Sequence, residues 1–175
     1  MQHWIWRKFE MRHPVDWEML HYGRRMEAGR CLLADRNEYR LEFNWRQFKT
    51  APDWRRTLSD YHNKLQADHP GATIRPVGMA DWSGLAMLHE GLYTSRFGRF
   101  FPETKCLVEI VFVGQSTGDK ELIHTILESV QERHDSGGVT RWRAFGLDLH
   151  ASAAMPLQHC RVEPARAEMR FGGEK

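Results

Sequence analysis

The residues that could do chemistry are ten histidines, three cysteines and twenty-three carboxylates. A helical zinc site needs two histidines at i and i+4, or the His-Glu-x-x-His pattern that places a base beside them. Neither pattern occurs in the chain. His62 and His69 are seven apart, but His69 falls inside the run Asp68-His69-Pro70-Gly71, which ends a helix rather than continuing one. His159 and Cys160 adjoin, and on a strand adjacent side chains face opposite ways, so they do not make a nucleophile–base pair. The thiols of Cys31, Cys106 and Cys160 are odd in number and widely spaced, which fits reduced cysteines better than a redox or zinc pair. The carboxylate pairs Asp16/Glu18, Asp35/Glu38 and Asp53/Asp60 have sufficient roles in turns, a helix cap and a solvated face. No Gly-x-Ser-x-Gly, P-loop or Gly-x-Gly-x-x-Gly is present. The sequence therefore assigns no catalytic residue, no metal ligand and no cofactor.

What remains is arginine interleaved with aromatic rings. The run Arg96-Phe97-Gly98-Arg99-Phe100-Phe101, followed by Pro102, reads as a loop, and loops expose what they carry. Arg96, Phe97, Arg99, Phe100 and Phe101 are the candidate binding residues. They could form a protein contact, since arginine and aromatic rings dominate binding hot spots. They could also stack on bases and touch phosphates. The similar runs Trp4-Ile5-Trp6-Arg7-Lys8 and Arg141-Trp142-Arg143 fit strands whose rings point inward while arginine reaches outward. A net charge of +2 does not by itself indicate a nucleic-acid binder.

The positioning elements follow from periodicity. Tyr39, Leu41, Phe43 and Trp45 alternate with Arg40, Glu42, Asn44 and Arg46, the period of a half-buried strand. Its aromatic face needs a covering layer. Strands are also expected at 5–12, 17–22 and 29–34, which with this one make an opening meander. Trp54, Leu58, Tyr61 and Leu65 form one helical stripe, with Thr50 as the expected cap. That stripe is the expected cover for the aromatic strand. Short strands are expected at 73–77 and 84–90, with 92–97 continuing the latter after Gly91. Cys106 to Val113 is nearly continuous apolar sequence, the mark of a strand covered on both faces. Leu122, Ile123, Ile126, Leu127 and Val130 predict a second helix, starting at Ser116 or Asp119 and stopped by Asp135-Ser136-Gly137-Gly138.

Trp142-Arg143-Ala144-Phe145-Gly146-Leu147-Asp148 resembles Trp6-Arg7-Lys8-Phe9-Glu10-Met11-Arg12. This predicts one α+β unit over residues 1–137. Residues 138–175 would be strands resembling the start of a second unit, packed on the first sheet. An open sheet edge would invite a homodimer. The 41% hydrophobic and 27% charged fractions predict an ordered globular chain. No stretch of eighteen apolar residues suggests a membrane span, and the first residues lack a signal-peptide pattern, so a cytoplasmic location is expected.

The strand, Pro14-x-x-Trp17, second strand, loop and alternating strand before a capped helix resemble the PsbP-like α/β/α sandwich. That fold is shared by extrinsic photosystem II subunits and the Ran-binding nuclear import factor family. The resemblance spans about residues 5–134 and implies a non-enzymatic, protein-binding role. The expectation is thus α+β: one antiparallel sheet flanked by two helices, with additional C-terminal strands. The leading function is a non-catalytic protein-binding or assembly module. The alternatives are a small enzyme with a site on the open sheet face, and a single-stranded nucleic-acid binder using loop 96–101.

Overall fold

Period-two alternation governs most of the chain in the computed structural model, which describes residues 1–23, 25–114, 119–133, 137–163 and 166–172. The chain opens with a hairpin, β1 (Gln2–Trp6) and β2 (Phe9–His13). A meander follows: β3 (Glu18–Tyr22), β4 (Ala28–Ala34) and β5 (Tyr39–Gln47). Helix α1 (Trp54–Asp68) leads into four long strands, β6 (Thr73–Met79), β7 (Trp82–His89), β8 (Leu92–Phe101) and β9 (Cys106–Val113). Helix α2 (Lys120–Ser129) precedes a short β10 (Gln131–Glu132). Two hairpins close the chain, β11 (Val139–Ala144) with β12 (Leu147–Ser152), and β13 (Leu157–Glu163) with β14 (Arg166–Phe171).

These strands form three antiparallel sheets among the described residues. The first has the order β10-β2-β1-β11-β12, the second β3-β4-β5-β9-β8-β7-β6, and the third is the pair β13-β14. The molecule is therefore β-rich. The expected α+β sheet with two flanking helices is overturned, and the PsbP-like α/β/α sandwich with it, because fourteen strands in three sheets accompany only two helices among the described residues.

The physical reason lies in what covers the aromatic face of β5. Leu41, Phe43 and Trp45 are buried. Their cover is the first sheet: the Phe43 ring lies 5.1 Å from Trp4 and 5.7 Å from Phe9, and Phe9 lies 5.6 Å from Phe101. Ring edges and faces interlock at these distances, which adds to the burial of large apolar area. Helix α1 lies on the opposite face of the second sheet. There Trp54 rests on Gly98 and donates to Ser83 Oγ, and Tyr61 stacks 4.6 Å from the Arg96 guanidinium. That face also carries Glu109, paired with Arg96. The Trp and Tyr of the helical stripe have polar handles that suit this mixed surface. No residue of α1 is buried, so the helix does not carry the core. Its cap is Asp53, which accepts from the Arg56 amide at 3.1 Å, rather than Thr50.

Helix α2 buries the expected Ile123, Ile126 and Leu127, and the Trp82 indole donates to the Leu127 carbonyl at 3.1 Å. Ser116, and Asp135-Ser136 of the expected stop, lie outside the described residues.

The C-terminal strands join the first sheet through β11, whose Arg143 is opposite Ile5 of β1. The two hairpins of that sheet are alike, with a sequence offset. Trp6 is opposite Phe9 across the Arg7-Lys8 turn, and Ala144 is opposite Leu147 across Phe145-Gly146. Counting from the turns, Trp142 corresponds to Trp4 and not to Trp6. The third sheet packs at the same end, with Phe171 5.5 Å from Trp142 and the Cys160 carbonyl accepting from Tyr22 Oη at 2.8 Å.

Candidate functional site

The run Arg96–Phe101 is not a loop. It is the second half of β8, paired along its length to β9 and, as far as Gly98, to β7 on the other side. Alternation then divides it. Phe97 and Phe101 are buried in the core between the sheets. Arg96 points the other way, between Tyr61 and Glu109. Arg99 pairs with Asp81 at 3.3 Å and stands 4.8 Å over the Phe101 ring. Phe100 is half-buried. The five residues therefore do not share one surface. Gly98 does not mark a loop: within a strand, glycine marks a close approach, here by the Trp54 ring.

A different set of residues comes together beside the first hairpin. A cleft of about 690 Å³ is lined by β1, by β3 and the turn before it, by the β11–β12 turn, and by the end of β13 and the start of β14. Trp4 and Trp17 are buried in its wall, and Phe145 and Met19 flank them. The Trp4 indole N–H is buried and has no hydrogen-bond partner among the described residues. At the rim stand Val15 and Val162, 70% and 40% exposed.

The polar groups of this cleft are held by one another. Gln2 Nε2 donates to the Trp17 carbonyl at 3.1 Å and lies 3.3 Å from His13 Nε2, while His13 Nδ1 lies 2.9 Å from the Pro14 carbonyl. One tautomer satisfies both contacts: Nδ1 donates to Pro14 and Nε2 accepts from Gln2. Burial lowers the His13 pKa to about 4, in agreement with a neutral ring at pH 7. His3 lies 3.5 Å from Glu10, and burial pulls its pKa down as well. Arg141 binds Asp148 with two contacts at 2.8 and 2.6 Å, which holds the Asp148 carboxyl below its usual range, and Arg143 adds a third at 3.7 Å.

The His13 geometry predicts an acid-sensitive fold. As pH falls below about 6.5 the unfolded chain takes up a proton that the folded ring refuses until about pH 4. Stability is thus full above 6.5 and is lost on the way down to 4. Urea denaturation at neutral pH and near pH 4.5 should show roughly 2 kcal/mol less acid loss in His13→Gln than in the parent. An unchanged acid loss in the variant would show that His13 is not the group responsible.

Among the described residues no three His, Cys, Asp or Glu side chains converge as metal ligands, and no helix is long and apolar enough to cross a membrane. Cys31, Cys106 and Cys160 are buried, and no disulfide joins them among the described residues. The cleft was hidden from sequence reasoning because its walls come from residues between 2 and 19, from 143–148, and from Val162, Glu163, Arg166 and Ala167. The one available signal was Pro14-x-x-Trp17, whose turn closes through the Trp17 amide and the Pro14 carbonyl at 3.2 Å.

No protein-family model and no curated protein matches the chain. Among solved structures the chain is similar to a crystal structure from Bacteroides thetaiotaomicron, at 16% identity and a TM-score of 0.42. The match covers 77% of this chain and 49% of that one, so the chain spans about half the length of the structure it matches.

Proposed function

We propose that the protein is a non-catalytic binding module that holds an extended segment of a protein partner in the cleft beside β1. The observation that carries this is the cleft's walls: β3 and β12 are both edge strands, and each contributes residues to it. Edge strands present unpaired backbone groups, and an extended peptide can add to them while its alternate side chains enter a neighbouring pocket. The other long edge strand, β6, contains Pro76, and β3 has an irregular register between Met19 and His21. Strand β12 has an unbroken register with β11 and no proline, so it is the better template. The aromatic wall, the exposed Val15 and Val162, and the unmet Trp4 N–H suit apolar side chains and one carbonyl of such a segment. The internal pairing of His13, Asp148 and Arg143 favours binding over acid–base chemistry. Buried cysteines outside disulfides fit the reducing cytoplasm as its compartment.

Selection of peptides from a displayed library on the purified protein tests this reading. The double variant Val15→Glu with Val162→Glu should keep its stability within about 0.5 kcal/mol, as surface changes do, and lose the selected peptides. Arg99→Ala with Phe100→Ala should retain them. Peptides that bind the valine variant undiminished, or that depend on Arg99 and Phe100, would contradict the cleft. Size-exclusion with light scattering decides whether a second copy supplies the segment: a dimer at tens of micromolar that the valine variant abolishes would identify it.

A further inference from the structure

Arg7 occupies the turn between β1 and β2, at a φ of 58° where glycine would be the unstrained residue. It is only 6% exposed. Its guanidinium carbon stands 5.2 Å over the Trp142 ring, and Nη1 donates to Met26 Sδ at 3.3 Å. Nε and Nη2 are buried and have no hydrogen-bond partner among the described residues. Those two nitrogens form one edge of the guanidinium fork, whose parallel N–H bonds match the two oxygens of a carboxylate or a phosphate. Burial pulls the Arg7 pKa below its ordinary value, yet a guanidinium stays charged at neutral pH. Leaving a charged donor edge buried and unmet is costlier than leaving a neutral one.

Arg7 lines a cavity of about 290 Å³ that is separate from the cleft. Lys8 and Arg133 add positive charge there, Glu103 supplies a carboxylate, and Trp142, Met155 and Pro156 give an apolar wall. Arg133 is already engaged by Glu10 at 2.7 Å, so it contributes field more than a free donor. At ~30 Å³ per water the volume equals roughly ten waters, which suits a small molecule and not a polymer.

We propose that this cavity is a binding site for a small oxyanion, a carboxylate or a phosphate, seated on the Nε and Nη2 edge of Arg7. The Trp142 and Met155 side chains lie against any apolar group the anion carries. Met26, 39% exposed and unbranched, is the side chain that turns aside to admit it.

The test titrates the isotope-labelled protein with benzoate, acetate and inorganic phosphate, and follows the Arg7 Nε–H and Trp142 indole N–H signals. Both signals should move saturably with at least one anion. Tighter binding of benzoate than acetate would identify a carboxylate with an apolar body; tightest binding of phosphate would identify a phosphoryl group. Arg7→Lys keeps the charge, removes the two-bond edge and should weaken binding at least about tenfold. No movement with any of the three at tens of millimolar overturns the proposal, as does equal affinity in Arg7→Lys. If that variant does not fold, the parent titration decides alone.

Discussion

Gly84→Ala is expected to lose more than about 3 kcal/mol of stability, enough to unfold a domain whose total is ~5–15 kcal/mol. A Cβ built on Gly84 would stand 1.8 Å from the Arg96 carbonyl oxygen, 2.7 Å from its carbon and 2.9 Å from Phe97 Cα. All three are backbone atoms of β8. That strand is paired to β9 on its other side, so it cannot retreat without breaking a second ladder. No rotamer change relieves the clash. Gly98→Ala is the informative contrast. Its Cβ would meet the Trp54 indole at 2.1 Å, and an indole on the half-buried α1 can swing away. That variant should lose ~1–3 kcal/mol, through a loosened helix rather than a broken sheet. Urea denaturation followed by far-UV circular dichroism separates the two. A Gly84→Ala protein with the parent midpoint would mean that β7 and β8 do not approach as described.

The second large effect is expected at Phe43, where the ring meets Trp4 and Phe9 of the first sheet and Trp45 of its own strand. Phe43→Ala should cost ~3–5 kcal/mol, the range for a buried aromatic ring whose cavity cannot collapse. Leu58→Ala on α1 removes a half-buried side chain and should cost well under half of that, about 1 kcal/mol. The order of the two losses reports which layer seals the aromatic face. Equal losses, read from chemical denaturation midpoints at constant slope, would restore the helix to that role.

Local pattern made several elements legible. The alternation from Tyr39 to Trp45 is β5, and the apolar run from Cys106 to Val113 is a strand buried on both faces. The stripes at 54–65 and 122–130 mark both described helices to within a few residues. What local pattern could not show is which surface each element meets. The stripe of α1 fits any surface with apolar and polar patches, so spacing alone does not choose between the two faces of β5. Two observations settled it: Trp54 on Gly98, and Trp4 on Phe43. The fold class is hidden from local pattern for the same reason. The first sheet depends on β1 pairing with β11, where Ile5 meets Arg143 from the far end of the chain. Such pairing leaves no periodic trace. The run 96–101 is hard to place from sequence because Gly98 and Pro102 punctuate a strand that continues through the glycine, and strand alternation then divides its side chains between two faces. The residues of the cleft and of the Arg7 cavity look ordinary singly. Trp4, His13 and Arg7 become notable only when burial and missing or completed hydrogen bonds are known.

Both sites depend on the first sheet lying across β5, and a double-mutant cycle addresses that apposition directly. Trp4→Leu and Phe43→Leu, singly and together, should show a coupling energy of ~0.5–3 kcal/mol, as for rings in contact. The parallel cycle of Phe43→Leu with Trp54→Leu, across the thickness of the sheet, should be additive within about 0.5 kcal/mol. Coupling between Phe43 and Trp54, with additivity between Phe43 and Trp4, would contradict the two-sheet core and remove the walls of both sites.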